Sequence, residues 1–349
     1  MRYLLSILCI GICFSFLKNS FFNERYNRYK TFPEERKVTT QEISLQTDFR
    51  YPYRIAIKEN MAILMDLHPN EYFYHVYSYP DWQPIATFGK RGEGPKEVLS
   101  ADGIRFYSSD SIYTLDANRM IITRWTLSPE AKAVSRAEDI PLNKSLIRSL
   151  DFYRTDKNFL IPNYSGECRY HKVSHDGQSI QNIGKIPTEE HKENRDVALA
   201  QAWRTFTDYN PKNDIYVLVT QLGEVIEVHN LKTEKQFVIY GPGGEPAFKK
   251  VLGEGIPTGI KGFMDVQVTD QAIYAIFDGL SWEERKKYQV QGKRPPEGGH
   301  FLYQFDLAGN PIRKYTIDKN IYGLEIDEKK NQVIATCLES DSPIVTFQL

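Results

Sequence analysis

Short runs in which apolar and polar residues alternate recur along most of this chain. Each is closed by a polar turn and followed by a second, more apolar run. Six segments carry the rhythm: YRIAIKENMAILMD from Tyr53, GIRFYSSDSIYTLD from Gly103, SLDFYRTDKNFLIP from Ser149, RTFTDYNPKNDIYVLV from Arg204, MDVQVTDQAIYAIF from Met264 and YGLEIDEKKNQVIATC from Tyr322. Period-two alternation predicts a half-buried strand, and the apolar run after the turn predicts its more deeply buried neighbour. Ile112-Tyr113, Ile215-Tyr216 and Ile273-Tyr274 fall in one slot of the pattern, which Ile63, Phe159 and Val333 hold in the other units. From slot to slot the spacing is roughly 47 to 60 residues, which suits a propeller blade with insertions.

Each unit runs on into further strands. Residues 72–80 and 83–88 follow the first, and 120–127 follow the second. The third and fifth continue into hairpins that turn at Asp176-Gly177 and at Gly309-Asn310-Pro311. A unit is therefore four antiparallel strands. The sixth falls short: after Cys337 only SPIVTFQL forms a strand, and a three-stranded blade would leave an unpaired edge. KVTTQEISLQ, residues 37–46, supplies the missing outer strand. The prediction is an all-β, six-bladed β-propeller of four-stranded antiparallel blades, its ring closed by an N-terminal strand that completes the last blade. A β-sandwich would not need a repeat that continues to the C-terminus. One helix is predicted over residues 188–203, with Thr188 as N-cap and Glu189, Glu190 and Glu193 in its first turn.

Composition agrees and narrows the partners. Among 349 residues there are 22 Tyr and 19 Phe, residues that favour pleated surfaces. The 44 basic and 45 acidic side chains leave a net charge of −1, so no long-range field draws the chain to nucleic acid or to an anionic membrane. Cys168 and Cys337 stand alone in the body of the chain and form no disulfide framework. Arg2 followed by the apolar run 3–17 has the form of a secretory signal. Lys18, Arg25, Arg28 and Lys30 behind it keep an uncleaved membrane anchor open as the alternative. The division expected is a signal peptide or anchor over 1–22, a linker over 23–36 and one propeller domain over 37–349.

FGKRGEGPKEV, residues 88–98, has the Gly-x-x-x-x-Gly spacing of a phosphate-binding loop between Gly89 and Gly94. Such a loop needs Lys-Ser or Lys-Thr directly after its second glycine and a helix behind it. Here Pro95 follows, with no N–H to donate, and the next element is a strand. Gly89, Gly92, Gly94, Pro95 and Glu97 read instead as a structural crossing from the outer strand of one blade to the inner strand of the next, where glycine permits the backbone angles required. YGPGGEPAF, residues 240–248, reads as a degenerate copy at the corresponding junction after the fourth unit. The pattern Gly-x-x-Gly-x-Gly-Pro-x-Glu resembles the signature of the TolB-like and NHL-like six-bladed β-propellers of exported bacterial proteins, and the resemblance runs over about 37–349. It implies a propeller used for binding or scaffolding and says little about activity. Many such proteins are lipoproteins. This chain departs from them, with Leu8 before Cys9 and Ile12 before Cys13 where a lipobox requires a small residue.

No Gly-x-Ser-x-Gly, His-Glu-x-x-His or Asp-x-Asp-x-Asp-Gly pattern occurs. His171 and His175 would stand about 13 Å apart along a strand, too far to share one ion, and His68, His191 and His300 are isolated. No metal and no cofactor is expected. Arg54, Arg105, Arg148 and Arg204 recur near the inner strands, which in a propeller line the channel. They read either as an anion-binding mouth or as ordinary partners of Asp102, Asp151 and Asp208. Trp203 and Phe263 fall near inner-strand starts and suit an aromatic floor for a sugar or peptide. With Asp102 and Asp265 these residues make up the expected ligand-binding set at the channel mouth. Three long insertions, 187–202, 241–261 and 278–300, are expected on one face, where binding commonly resides on a rigid scaffold. The expectation is a non-enzymatic propeller of the cell envelope that binds a protein, peptide or glycan through that face, with membrane contact only through an uncleaved N-terminal segment. The alternative is a metal-dependent enzyme of the lactonase or lyase type, with Asp102, Asp151 and Asp265 as ligands. A sensor ectodomain is a third reading if the N-terminal run is retained.

Overall fold

The computed structural model describes residues 25–108, 110–128, 130–146, 149–190 and 196–349. Three short strands lead: β1 (Arg25–Arg28), β2 (Glu34–Val38) and β3 (Gln41–Ile43). Blade 1 is β4 (Pro52–Lys58), β5 (Met61–Asp66), β6 (Tyr72–Ser78) and β7 (Pro84–Lys90). Blade 2 is β8 (Gly103–Ser108), β9 (Ser111–Asp116), β10 (Ile121–Ser128) and β11 (Ala133–Pro141). Blade 3, the smallest, is β12 (Tyr153–Arg154), β13 (Phe159–Pro162), β14 (Tyr170–Val173) and β15 (Ile180–Ile183). Helix α1 (Val197–Ala202) precedes blade 4, which is β16 (Thr205–Asn210), β17 (Ile215–Thr220), β18 (Val225–Asn230) and β19 (Lys235–Tyr240). A separate hairpin follows, β20 (Phe248–Val251) and β21 (Glu254–Pro257). Blade 5 is β22 (Phe263–Val268), β23 (Ala272–Phe277), β24 (Gly299–Asp306) and the first part of β25 (Pro311–Asp327), with helix α2 (Trp282–Val290) inserted between β23 and β24. The rest of β25 is the inner strand of blade 6, which continues through β26 (Gln332–Cys337) and β27 (Ile344–Gln348) to β3.

The shared slot of the repeat is the buried second strand of each blade. Ile63, Ile112, Phe159, Ile215, Ile273 and Val333 all lie there, and all are buried. The inner strands β4, β8, β12, β16, β22 and β25 each pack on the next, and β25 returns to β4. Hydrophobic clusters fill the gaps between successive blades. Met65 and Phe88 of blade 1, for example, meet Ile104 and Trp125 of blade 2, while Ile55 and Leu64 of blade 1 meet Ile334 and Ile344 of blade 6. Every blade thus buries both faces against its neighbours, and the ring needs no separate core.

The N-terminal strand completes the last blade as expected: β3 pairs antiparallel with β27, Ile43 opposite Ile344. Its reach is shorter than residues 37–46, because Lys37 and Val38 belong to β2. The segment 23–36 carries strand rather than linker over much of its length. β1 adds in parallel to the outer edge of blade 4, Arg28 opposite Tyr240, and β2 adds in parallel to β25 at the edge of blade 5, Val38 opposite Ile317. These additions cover sheet edges that would otherwise be open. Residues 1–22 lie outside the described residues. The expected helix over 188–203 is shorter and starts later. Asp196 caps α1 by accepting from Ala198 N at 2.9 Å, and Thr188 instead donates to Glu245 at 2.6 Å.

Candidate functional site

The glycine-rich stretch is a crossing loop. It leaves β7 and returns to the axis at β8, and it is held by side chains rather than by a ligand. Gly94 N donates to Glu97 Oε2 at 3.0 Å, and Arg119 Nη2 donates to the carbonyl of Gly94 at 3.0 Å. Gly89 takes φ +67°, and a Cβ there would lie 2.6 Å from the Tyr74 ring. At Gly92 a Cβ would meet the Glu97 carboxylate. The second junction repeats the device with a different donor of the carboxylate. Gly243 N donates to Glu224 Oε2 at 2.7 Å, and Glu224 comes from the turn between β17 and β18. Tyr29, ahead of the blades, donates to the same carboxylate at 2.5 Å.

Along the channel the acidic side chains join neighbouring blades. Asp151 accepts from Thr207 N at 3.1 Å and from Thr207 Oγ1 at 2.9 Å, tying blade 3 to blade 4. Asp208 of blade 4 accepts from Val268 N of blade 5 at 2.7 Å. Asp265 of blade 5 accepts from Leu324 N of blade 6 at 3.0 Å. Glu325 of blade 6 accepts from Ile57 N of blade 1 at 2.9 Å, and its other oxygen accepts from Gln267 Nε2 at 2.8 Å. Enclosure raises the proton affinity of these groups, while N–H donors and arginines oppose it. Burial pushes the Asp208 carboxyl up to about 6, against Arg105. Burial pushes Glu325, whose contacts are neutral donors, up to about 8. Asp265 is also raised by burial, although Arg54 opposes.

The two channel arginines are equally committed. Arg54 lies over the Tyr53 ring at 4.0 Å and the Phe206 ring at 4.5 Å. It donates to the Met264 carbonyl at 3.0 Å and stands 3.8 Å from Asp265. Arg105 donates to Asp151 and to the Thr207 carbonyl, both at 2.9 Å. Both line a chamber of about 230 Å³ and a second of about 180 Å³ along the axis.

Above them opens a larger cavity of about 670 Å³. The three insertions meet beside it, as their expected placement on one face requires. Gly255 N donates to Gln201 Oε1 at 3.3 Å and Lys250 Nζ to Asp196 at 2.7 Å, joining the 241–261 insertion to α1. Lys261 N donates to the Leu280 carbonyl and Trp282 N to the Gly259 carbonyl, both at 3.0 Å, joining it to the 278–300 insertion. Helix α2 is fixed by a Ser281–Glu284 capping box and by Arg285, which bonds Asp278. Around the mouth stand Tyr51, Tyr53, Phe206, Trp282 and Tyr322, with the amides of Gln201 and Gln221 and the cations Arg204 and Lys261. Tyr51 donates to Tyr322 Oη at 2.9 Å and also reaches Glu297 at 3.1 Å. Burial pushes the Lys261 ammonium down, against Asp278 at 3.6 Å.

The expected site residues separate accordingly. Arg204 lines the mouth, while Arg54, Asp102, Arg105 and Asp265 line the chamber below it. Arg148 lies outside the described residues. Among the described residues Asp102 pairs with no arginine; it accepts from Ser100 Oγ at 2.7 Å and Ala117 N at 3.1 Å. Trp203 takes no part in an aromatic floor, because its ring is fully buried against Leu199 and Val238, whereas Phe263 lies at the base of the cavity with its ring buried 5.0 Å from Phe277. The rest of the aromatic wall comes from Tyr51, Tyr53, Phe206 and Trp282, which are half-exposed, and from Tyr322, which is buried. Tyr53, Phe206 and Tyr322 stand at or beside the starts of inner strands, as Trp203 and Phe263 do, and the register of each strand decides which rings face the mouth. Asp102, Asp151 and Asp265 are each engaged separately, and among the described residues no group of three His, Cys, Asp or Glu is placed to hold a metal ion. His171 is buried and bonds Asn163 and Asn182, and His175 bonds the Thr155 carbonyl.

No curated protein matches the chain by sequence. Among solved structures it is similar to a protein from Bacteroides fragilis described as exported, at 9% identity and a TM-score of 0.58, over 92% of this chain and 98% of that one. It is also similar to a member of the DUF4221 family from Bacteroides vulgatus, at 9% identity and a TM-score of 0.58, over 89% of this chain and 95% of that one. At these identities the likeness shows the fold. The sequence profile of the family described as TolB-like 6-blade propeller-like matches residues 30–329. Strands, crossing loop and profile agree, and the chain belongs to the TolB-like six-bladed propeller family.

Proposed function

We propose that this chain is a non-enzymatic binding propeller of the cell envelope whose ligand occupies the channel mouth beside the three insertions. The observation that carries the reading is the mouth itself. Its volume of about 670 Å³ falls within the roughly 300–1,000 Å³ of small-ligand sites. Half-exposed aromatic rings flank it, and the side chains below it are locked into the ring. Aromatic faces with amides between them suit a glycan or a peptide segment. The channel carboxylates support a binding role over a catalytic one, because Asp151, Asp208, Asp265 and Glu325 are spent on backbone N–H groups of the next blade. Export belongs to this reading through the charged and then apolar N-terminus. Among the described residues no helix is long and apolar enough to cross a membrane.

The test is a thermal-shift screen of the intact protein against oligosaccharides and peptides, repeated with Phe206→Ala and Trp282→Ala. A ligand specific for the native state raises the melting temperature. The expected result is a saturable rise with at least one compound, lost or much reduced in both variants. Binding that survives undiminished in both would remove the mouth as the site.

A further inference from the structure

The mouth is lined by two cations, Arg204 and Lys261, and one carboxylate, Glu254. Four other enclosed arginines have carboxylate partners: Arg54 faces Asp265, Arg105 faces Asp151, Arg169 faces Glu227 and Arg285 faces Asp278. Among the described residues, the Arg204 guanidinium has neither a carboxylate nor a hydrogen-bond acceptor. It lies 5.9 Å from the Tyr164 ring, and among the described residues its solvent-shielded Nε has no acceptor. A guanidinium that lines a cavity and has no carboxylate partner can take a ligand's acid group without giving up a bond. Lys261 adds to the imbalance, because it shares the single carboxylate of Asp278 with Arg285.

Arg204 directly precedes β16 of blade 4, which stands across a six-membered ring from blade 1. The opposite side of the mouth carries Tyr51 and Tyr322, whose hydroxyls lie against Glu297. One side of the cavity therefore presents an unpaired cation with two amides, Gln201 and Gln221, near it. The other presents tyrosine faces, an acceptor and Lys261, whose Nζ lies 6.0 Å from the Tyr322 ring.

We infer that the mouth takes a saccharide bearing a carboxylate, with the acid group on Arg204 and the sugar ring against the aromatic wall. The inference rests on the mouth being the binding site. A planar guanidinium matches a carboxylate with two parallel hydrogen bonds. One unbalanced guanidinium suits a single negative charge, and carboxamides donate and accept as sugar hydroxyls require. An acidic ligand also relieves the uncompensated charge, which a neutral ligand would leave in place.

The test compares galacturonate, a sugar with one carboxylate, with its methyl ester, which keeps the ring and removes the charge, by calorimetric titration of the wild type and of Arg204→Gln. The wild type should bind the acid at least about 10-fold more tightly than the ester, as expected for a charge-assisted pair. Arg204→Gln should lose about 10- to 100-fold in affinity for the acid and leave the ester unchanged. Its melting temperature without ligand, unchanged or raised, would show that the fold is intact. Equal binding of acid and ester would overturn the inference while leaving the mouth as the site. Failure of both sugars to bind at millimolar concentration would overturn it too, and the broader screen would then decide the site separately. Arg204-dependent binding of a short peptide acid over its amide, without binding of the sugar acid, would reassign the ligand to peptides and overturn the saccharide.

Discussion

Glu325 in blade 6 accepts the backbone N–H of Ile57 in blade 1 at 2.9 Å, so one side chain spans the joint where the ring closes. Asp151, Asp208 and Asp265 make the same kind of bond at the three preceding joints. A propeller blade offers its neighbour a sheet face, not a hydrogen-bonding edge, so most of the joint is apolar packing without directional register. A carboxylate that reaches across to the next inner strand supplies that register.

The belt makes stability depend on pH. Burial raises Glu325 to about 8 and Asp208 to about 6, while in the unfolded chain both titrate near ordinary carboxyl values of about 4. Between those limits the native state holds protons that the unfolded state has released. As far as these groups decide it, stability should therefore be greatest below about pH 4 and should fall as pH rises towards 8. Glu325→Gln removes one titrating group and should flatten that decline, whatever it does to absolute stability. Urea midpoints at pH 5, 6.5 and 8 for both proteins measure the slopes, and equal slopes would refute the assignment.

Much of this architecture was legible because blade strands obey a period of two. The buried slot held by Ile63, Ile112, Phe159, Ile215, Ile273 and Val333 could be counted directly, and the missing strand of blade 6 followed from the count. The crossing loop was legible for the same local reason, since Pro95 excludes a phosphate cradle. The mouth was not. Trp203 and Phe206 lie three residues apart at the same inner-strand start, yet one ring is buried and the other is half-exposed. That outcome depends on α1 and on neighbouring blades, which local pattern does not encode. Likewise Asp208 and Glu325 look like ordinary polar strand positions until the partner blade brings its N–H groups within reach. β1 and β2 escaped notice because a four- or five-residue charged strand shows no apolar alternation.

Gly89 and Gly244 both have positive φ, +67° and +62°, but their surroundings differ. A Cβ on Gly89 would strike Tyr74, which is stacked on Phe88 at 4.8 Å, whereas a Cβ on Gly244 has nothing within 4 Å. Gly244→Ala should cost only the backbone conformational penalty, about 1 kcal/mol. Gly89→Ala should cost about 2–4 kcal/mol, because overpacking of a buried ring is added to that penalty. Paired chemical denaturation curves measure the difference, and equal costs would mean that the Tyr74 contact gives way freely.

Arg169 and Glu227 form the most deeply enclosed ion pair among the described residues, with side chains 1% and 3% exposed. Arg169 donates to both carboxylate oxygens and to the Trp203 carbonyl. Burial pushes the Glu227 carboxyl up, but Arg169 and His229 outweigh it and hold the group ionised. Arg169→Ala should cost about 3–5 kcal/mol by leaving that charge buried alone, and Arg169→Met with Glu227→Leu should recover most of the loss. Failure of the double variant to recover would show that Arg169 matters chiefly through its bond to Trp203.

The segment from Arg25 to Ile43 visits three blades in succession, as a fifth strand on blade 4, an added strand on blade 5 and the outer strand of blade 6. Between the first two contacts, Phe32 packs on Tyr303 at 4.7 Å and Phe305 at 5.4 Å, and Tyr29 bonds Glu224. The strap therefore adds strand pairing along the outer edges of blades 4, 5 and 6, and it anchors the carboxylate that holds the second crossing loop. Phe32→Ala should destabilise by about 3–5 kcal/mol as a buried aromatic truncation. Tyr29→Phe should cost about 1–3 kcal/mol through the lost bond to a carboxylate. Removing residues before Glu34 deletes both contacts together with β1, and hydrogen exchange should then speed up in β19 while the amides of β5 and β9 keep their protection. If exchange rises uniformly around the ring, the strap acts on the whole propeller and not on blades 4 and 5 in particular.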